Sequence, residues 1–299
     1  MIPAGDAETS FKITVKADED ARIARVFHDG EWPGDPAEAG ALLDAVCRRW
    51  PKDVKADVLV LCGGFLRFRW PDRLKRWDIG DNLNPSKATL DMLYQEAEKC
   101  FRQVFDGRIR AKLRRQAGVV TFGADSHYLV DDWYFPHAEL VFAMDPDTGE
   151  AWPTGKSYPN PRQQQGLVRI ADLESHFVRA AGKDLMLLSC HDLSLFSPRS
   201  YHNARGWRRE TIERFRQMAR ERKPELIVWH PHKSDTPRTW IPGLGGLRKE
   251  LPGVSYISAG MYHNDGASPR ASMDSVLKHT KNVPAVDLIV RRKKRDPDD

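Results

Sequence analysis

The sequence predicts an α/β fold built on a mixed sheet, and three observations predict it. Short apolar runs recur along the chain and end abruptly in polar, titratable residues. Leu185–Leu188 running into Ser189, Cys190, His191 and Asp192 is the clearest example. A buried strand that delivers a site at its C-terminal end has this form. Between the runs lie segments whose apolar residues are spaced three and four apart, the period of a helix. Two apolar runs are joined by Asp145-Pro146-Asp147-Thr148-Gly149-Glu150, turn chemistry that makes its neighbours antiparallel.

Taken in order, Asp35-Pro36-Ala37-Glu38 has the form of a capping box with proline in the first turn. Leu42, Leu43, Val46 and Trp50 follow at helical spacing. Ala56–Leu61 is a central strand that opens into Cys62-Gly63-Gly64, and Arg67–Ser86 is an irregular excursion over the sheet rim. Ser86 caps a helix with Leu90, Leu93, Tyr94, Ala97, Phe101 and Val104 on one face. Gly118–Gly123 is a strand ending at Asp125 and His127, and Glu139–Met144 begins a hairpin that returns through Trp152 toward Lys156. Asp172 caps a short helix over Leu173, Phe177 and Val178, and a further helix carries Ile212, Phe215, Met218 and Ala219. Leu226–Trp229 ends at His230 and His232, Val254–Ala259 leads to His263 and Asp265, and Val286–Val290 is a last strand. The glycine-rich stretch Gly243–Gly246 lacks the Lys-Ser/Thr of a phosphate loop and reads as a turn.

With 40% hydrophobic and 30% charged residues in 299, the chain is expected to be soluble and to bury a sizeable core. No linker composition divides it, so residues 11–290 read as a single domain, with a loose stretch at 1–10 and a basic/acidic tail at 291–299. No apolar run approaches the roughly 20 residues needed to span a bilayer, and no basic-then-apolar leader pattern is present, so a cytoplasmic protein is expected. The four cysteines are far apart with no CxxC pair, which argues for reduced thiols. Net charge of +5 permits an anionic ligand, but the basic residues are scattered and nucleic acid is not an expected partner.

Cys190 is the residue on which the chemistry turns. Most free cysteines are small buried hydrophobes, but a thiol beside a base or cation becomes a nucleophile. The surroundings of Cys190 resemble the carbon–nitrogen hydrolase (nitrilase) superfamily. Ser189-Cys190-His191-Asp192-Leu193, with Phe196 and Pro198, is similar to the family's nucleophile elbow. Leu140–Met144, the Asp145–Gly149 turn and Lys156 resemble its hairpin and catalytic lysine, and Asp57–Leu66 resembles its early strand and turn. Pro224–Trp229 and Gly253–Gly260 resemble two later strands, so the likeness spans most of residues 55–265.

The resemblance implies a four-layer α-β-β-α sandwich, usually a homodimer, that hydrolyses amides or nitriles, or transfers an acyl group, through a cysteine thioester. It implies a small-molecule substrate and no cofactor. It gives Cys190 as nucleophile and Lys156 as the cation that holds the oxyanion. It departs at one point, because Gly63 stands where the family has its catalytic Glu. Asp125 or His127 is the candidate substitute base, Asp192 orients the elbow, and His191, Asp192, His230, His232 and His263 are candidate substrate-binding residues.

Two other classes stay open. One is a catalytically inactive binding or sensor module of the same fold. The other is a metal-dependent phosphoesterase built from the strand-end His and Asp residues, since Asp-x-His and His-x-His are ligand spacings. In extended backbone His230 and His232 would share a face.

Overall fold

The computed structural model describes residues 10–75, 79, 84–126, 136–161, 163, 166–263 and 271–293. The loose stretch expected at 1–10 therefore lies outside the described residues except for Ser10, and His127 lies outside them altogether.

Among the described residues two sheets form. The larger has nine strands. Its main path runs β1 (Phe11–Ala17), β13 (Val286–Arg292), β2 (Ile23–Asp29), β3 (Ala56–Val60), β5 (Ala117–Ser126), β6 (Glu139–Met144) and β7 (Ala151–Gly155). The short strands β4 (Leu66–Phe68) and β12 (Met261–Tyr262) pair with β5 and β2. The smaller sheet is β11 (Ser255–Ser258), β10 (Leu226–His230), β9 (Lys183–Ser189) and β8 (Phe177–Ala180). Strands β2, β3 and β5 run parallel, as do β9, β10 and β11, while β5, β6 and β7 form an antiparallel meander.

The period of two along each strand sorts side chains into layers. Leu185 and Leu187 on β9, and Val58 and Val60 on β3, meet in one apolar cluster, so the two sheets pack face to face. The alternate residues of β9 and β10, Met186, Leu188, Ile227 and Trp229, pack instead with Phe215 and Met218 of one helix and Trp240 and Leu247 of another. On the far side of the large sheet, Leu59, Val120 and Phe142 pack against Leu42, Leu93 and Phe101 of the helices there. The order is helix, sheet, sheet, helix, which is the expected four-layer sandwich. Each fully buried large aliphatic or aromatic side chain contributes roughly 1.5–3 kcal/mol relative to exposure.

The helices over the large sheet are α1 (Pro36–Arg49), α2 (Lys87–Val104) and α3 (Gly107–Leu113). Asp35 and Ser86 cap α1 and α2 as expected, each side chain accepting a backbone N–H three residues on, at 3.0 Å from Glu38 and 3.1 Å from Thr89. Over the small sheet lie α4 (Pro198–Asn203), α5 (Trp207–Arg222) and α6 (Pro237–Glu250), and α7 (Met273–His279) follows near the C-terminus.

Several expectations are corrected. Arg67–Ser86 is not wholly an excursion, because Leu66–Phe68 joins the sheet. Phe177 and Val178 belong to strand β8, and only the single turn Leu173–His176 is helical. Arg291 and Arg292 are strand residues paired with Lys12 and Phe11 rather than a tail. The glycine-rich turn expected at Gly243–Gly246 lies inside helix α6, which also contains Pro242. Packing explains why glycine is tolerated there. A Cβ on Gly246 would sit 1.8 Å from the Phe196 carbonyl oxygen, and one on Gly243 would sit 2.8 Å from Leu193 Cγ. The helix lies against the turn that follows Cys190, too close for any larger residue.

Candidate active site

The parallel strands β3, β5, β9 and β10 all end at one edge of the sandwich, where α/β folds place their sites. The antiparallel partner β6 starts at that edge and β7 ends there. Adjacent strands are in register, so Arg67 pairs with Asp125 and Asp125 with Glu139. Lys156, just past β7, donates its backbone N–H to the Glu139 carbonyl at 2.9 Å. One rung of the large sheet thus presents Arg67, Asp125, Glu139 and Lys156 side by side. The small sheet contributes Cys190 after β9 and His232 after β10. All six line one cavity of about 450 Å³. Leu193, Trp229 and Trp240 form its apolar wall, and His191 and Lys233 also line it.

Asp192 holds this geometry. It is fully buried, and its carboxylate accepts backbone N–H groups from Ser157 (3.0 Å), Tyr158 (2.8 Å) and Ser189 (3.1 Å). One side chain therefore ties the residues after Lys156 to the residue before Cys190. Burial pushes its carboxyl above the ordinary range, against the opposing pull of His176 and the backbone donors. The indole of Trp229 donates to the Cys190 carbonyl at 2.9 Å and fixes the elbow from the other side.

Two ion pairs meet at the sulfur. Lys156 is paired with Glu139, and Gln163 joins them, donating to Glu139 at 2.7 Å and accepting from Lys156 at 3.3 Å. Burial opposes both charges, but their mutual attraction wins, holding Glu139 below and Lys156 above their ordinary values. The second pair is His232 with Asp125, Nε2 to Oδ2 at 2.6 Å. Burial works against the imidazolium, yet Asp125, with lesser help from Cys190 and Glu139, raises His232 well above its ordinary value. Burial likewise opposes a Cys190 thiolate. The neighbouring imidazoles, His191 first and then His232, carry the thiol well below its ordinary value. The other cysteines lack such partners, and burial pushes Cys47 up to about 12 and Cys100 up to about 11.

Gly63, where the resemblance leads one to expect a glutamate, has a steric reason. A Cβ on Gly63 would lie 2.5 Å from the His230 carbonyl oxygen and 3.2 Å from the His232 backbone nitrogen. The next residue, Gly64, has a left-handed φ of 61°, and a Cβ there would meet Asp125 at 2.8 Å. The His230–His232 segment occupies the space that a longer side chain on this turn would need.

Other expected site residues fall elsewhere. His230 is fully buried off the cavity wall. It donates through Nδ1 to the Leu61 carbonyl at 2.7 Å, and burial drives its pKa down to about 4. It does not share a face with His232, because the strand ends at His230 and Pro231 breaks the period of two. Asp192 orients the elbow but cannot bind substrate, since none of its surface is exposed. His263 pairs with Glu31 at 3.2 Å and lies away from the cavity lining. Among the described residues no three His, Cys, Asp or Glu side chains are arranged to hold a metal ion, and His127 and Asp265 of the strand-end set lie outside those residues.

Glu139 and Gln163 were not singled out from the sequence. Glu139 reads there as the polar edge of an apolar strand, and only its position opposite Lys156 across the hairpin could have marked it.

Fold and site together define a four-layer α/β protein with a cysteine-centred cavity. No protein-family profile matches the chain, and no curated protein sequence does. Among solved structures it is similar to an amidase from Nesterenkonia sp., at 15% identity over 82% of this chain and 78% of that chain, with a TM-score of 0.47. A mutant of the Nesterenkonia AN1 amidase, described as from the nitrilase superfamily, is similar at 14% identity over 82% and 78%, also with a TM-score of 0.47. A third form of that amidase, carrying the acetamide moiety of fluoroacetamide on its active-site cysteine, is similar at 15% identity over 82% and 78%, again at 0.47.

Proposed function

We propose that this protein is a cysteine-dependent hydrolase of carbon–nitrogen bonds, of the amidase type. The observation that carries the reading is His232, hydrogen-bonded to Asp125 and lining the same cavity as Cys190, whose thiolate it favours. A nucleophile, a base and a group that orients the base form the constellation that acyl transfer requires. It also answers the missing glutamate: His232 does the proton work, and Asp125 acts through it. His191 also favours the thiolate, but among the described residues its buried Nδ1 has no hydrogen-bond partner to orient it.

In the proposed cycle the Cys190 thiolate attacks the amide carbonyl, and the C–S bond forms as the carbonyl electrons move to oxygen. Lys156, held charged and in place by Glu139 and Gln163, stabilises that oxyanion. The His232 imidazolium gives its proton to the leaving nitrogen as the C–N bond breaks. Neutral His232 then takes a proton from water, which attacks the thioester. The acid leaves and the thiolate–imidazolium pair is restored.

The test is a screen of short-chain amides for ammonia release, with rapid quenching and mass measurement of the peptide that contains Cys190. Ammonia release with an acyl adduct on Cys190 supports the reading. Amide turnover that persists in Cys190→Ala overturns it.

A further inference from the structure

The cavity holds two cations that the cycle above does not use. Arg67 is the middle residue of the short strand β4, in register with Asp125. Lys233 directly follows His232 and forms an isolated bridge with Met261. Both side chains are exposed and both line the cavity beside the Asp125–His232 pair. Register would make Asp125 the natural partner of Arg67, but Asp125 is engaged by His232. The other carboxylate on the wall, Glu139, is engaged by Lys156. Among the described residues neither the Arg67 guanidinium nor the Lys233 ammonium has a hydrogen-bond or ion-pair partner. The cavity therefore offers two uncommitted positive charges within one small-molecule volume of its nucleophile, and no uncommitted negative one.

We propose that the substrate is an anionic acyl compound. It carries a carboxylate that Arg67 and Lys233 hold while its amide carbonyl lies at Cys190. The guanidinium fork matches a carboxylate with two parallel hydrogen bonds, and the ammonium adds a point charge. An exposed arginine or lysine alone carries no such meaning, since most are simply solvated. What distinguishes these two is that they share a cavity with the nucleophile while the neighbouring carboxylates are already taken. This assignment rests on the thiol hydrolase reading, and the test separates the two.

The probes are iodoacetate and iodoacetamide. Each alkylates a thiolate by the same displacement, with the S–C bond forming as the C–I bond breaks and iodide leaving. They differ only in a carboxylate against a neutral amide. The measurement is the ratio of their rates at Cys190, read by peptide mass spectrometry, in the parent protein and in Arg67→Gln, Lys233→Gln and the double variant. The neutral reagent corrects each variant for any change in the thiol itself. The ratio is expected to fall about tenfold in the double variant, within the range by which a cationic cleft concentrates an anion. It should also fall in the parent at about 1 M salt, where the screening length is about 3 Å. A double-variant ratio within twofold of the parent's overturns the anionic-substrate assignment while leaving the thiolate intact. Slow reaction of Cys190 with both reagents at neutral pH overturns the thiol hydrolase reading and the assignment with it.

Discussion

The two ion pairs around Cys190 have the same chemistry on paper, a cation facing a carboxylate, but they sit in different surroundings. The Lys156 and Glu139 side chains are 1% and 7% exposed, and Gln163 hydrogen-bonds to both. The His232 and Asp125 side chains are 28% and 15% exposed. The first pair is dry, so neither member can change charge without stranding the other. It suits a fixed field. Both pairs line the cavity, but the second is the more exposed, and its cation is an imidazole, a group that can lose and regain a proton during a reaction. A deeply buried pair and a more exposed, imidazole-containing pair can thus share one cavity while differing in how readily they change charge.

Breaking the centre shared by both pairs has the largest expected effect. Cys190→Ala should abolish amide turnover and acyl adduct formation together, as checked by ammonia release and intact mass. Removing the proton carrier comes next. His232→Asn should lower kcat/KM by about 10²–10⁴, the usual contribution of general acid–base catalysis, and should raise the apparent pKa of Cys190.

The dry pair should respond in stability rather than in proton transfer. Lys156→Met leaves Glu139 buried and unpaired, and denaturant unfolding should show a loss of about 3–5 kcal/mol. The double variant Lys156→Met/Glu139→Gln should regain much of that stability but not activity. The pH dependence has a definite sign. Glu139 is held below its unfolded value of 4.5 and Lys156 above its unfolded value of 10.5. The stabilisation from the pair is therefore complete between those values. It is lost as pH falls through the folded value of Glu139 or rises through that of Lys156.

Asp125→Asn sharpens the contrast, because it removes the charge but keeps the shape. The pKa of His232, read from its NMR titration, should fall by about 1–3 units. Gly246→Ala probes packing outside both pairs: forcing helix α6 off the Phe196 carbonyl should cost stability, at least about 1–3 kcal/mol, without moving the His232 titration.

The sandwich was largely legible because buried strands are short, apolar and bounded by turn chemistry. The strands around Val58, Phe142, Leu187 and Val228 all show this. Strand β1, Phe11–Ala17, was not, since lysines alternate with its apolar residues and it borders the sheet with one exposed face. Helix α6 was hidden by its own glycines, which read locally as a turn and are accepted only because Leu193 and Phe196 lie against them. Cys190 and Lys156 were picked out through the family resemblance, and the structure places both on one cavity. His232 could not be told from His230, because the choice between them depends on where a strand stops and on which carbonyl, Leu61's, lies nearby. Asp125 was visible as a strand-end acid, but its role depends on a histidine far along the chain. Sequence showed the residue types that collect at one sheet edge. It did not show which of them touch.

The measurement that tests the central claim most directly is the pH profile of iodoacetamide labelling at Cys190, in the parent protein and in His232→Asn. An ordinary thiol with a pKa of 9.0 is about 1% ionised at pH 7. Parent Cys190 is expected to label near its plateau rate already at pH 7, to slow only on acidification, and to shift toward ordinary thiol behaviour in the variant. A Cys190 that labels like an ordinary thiol in both proteins would contradict that claim.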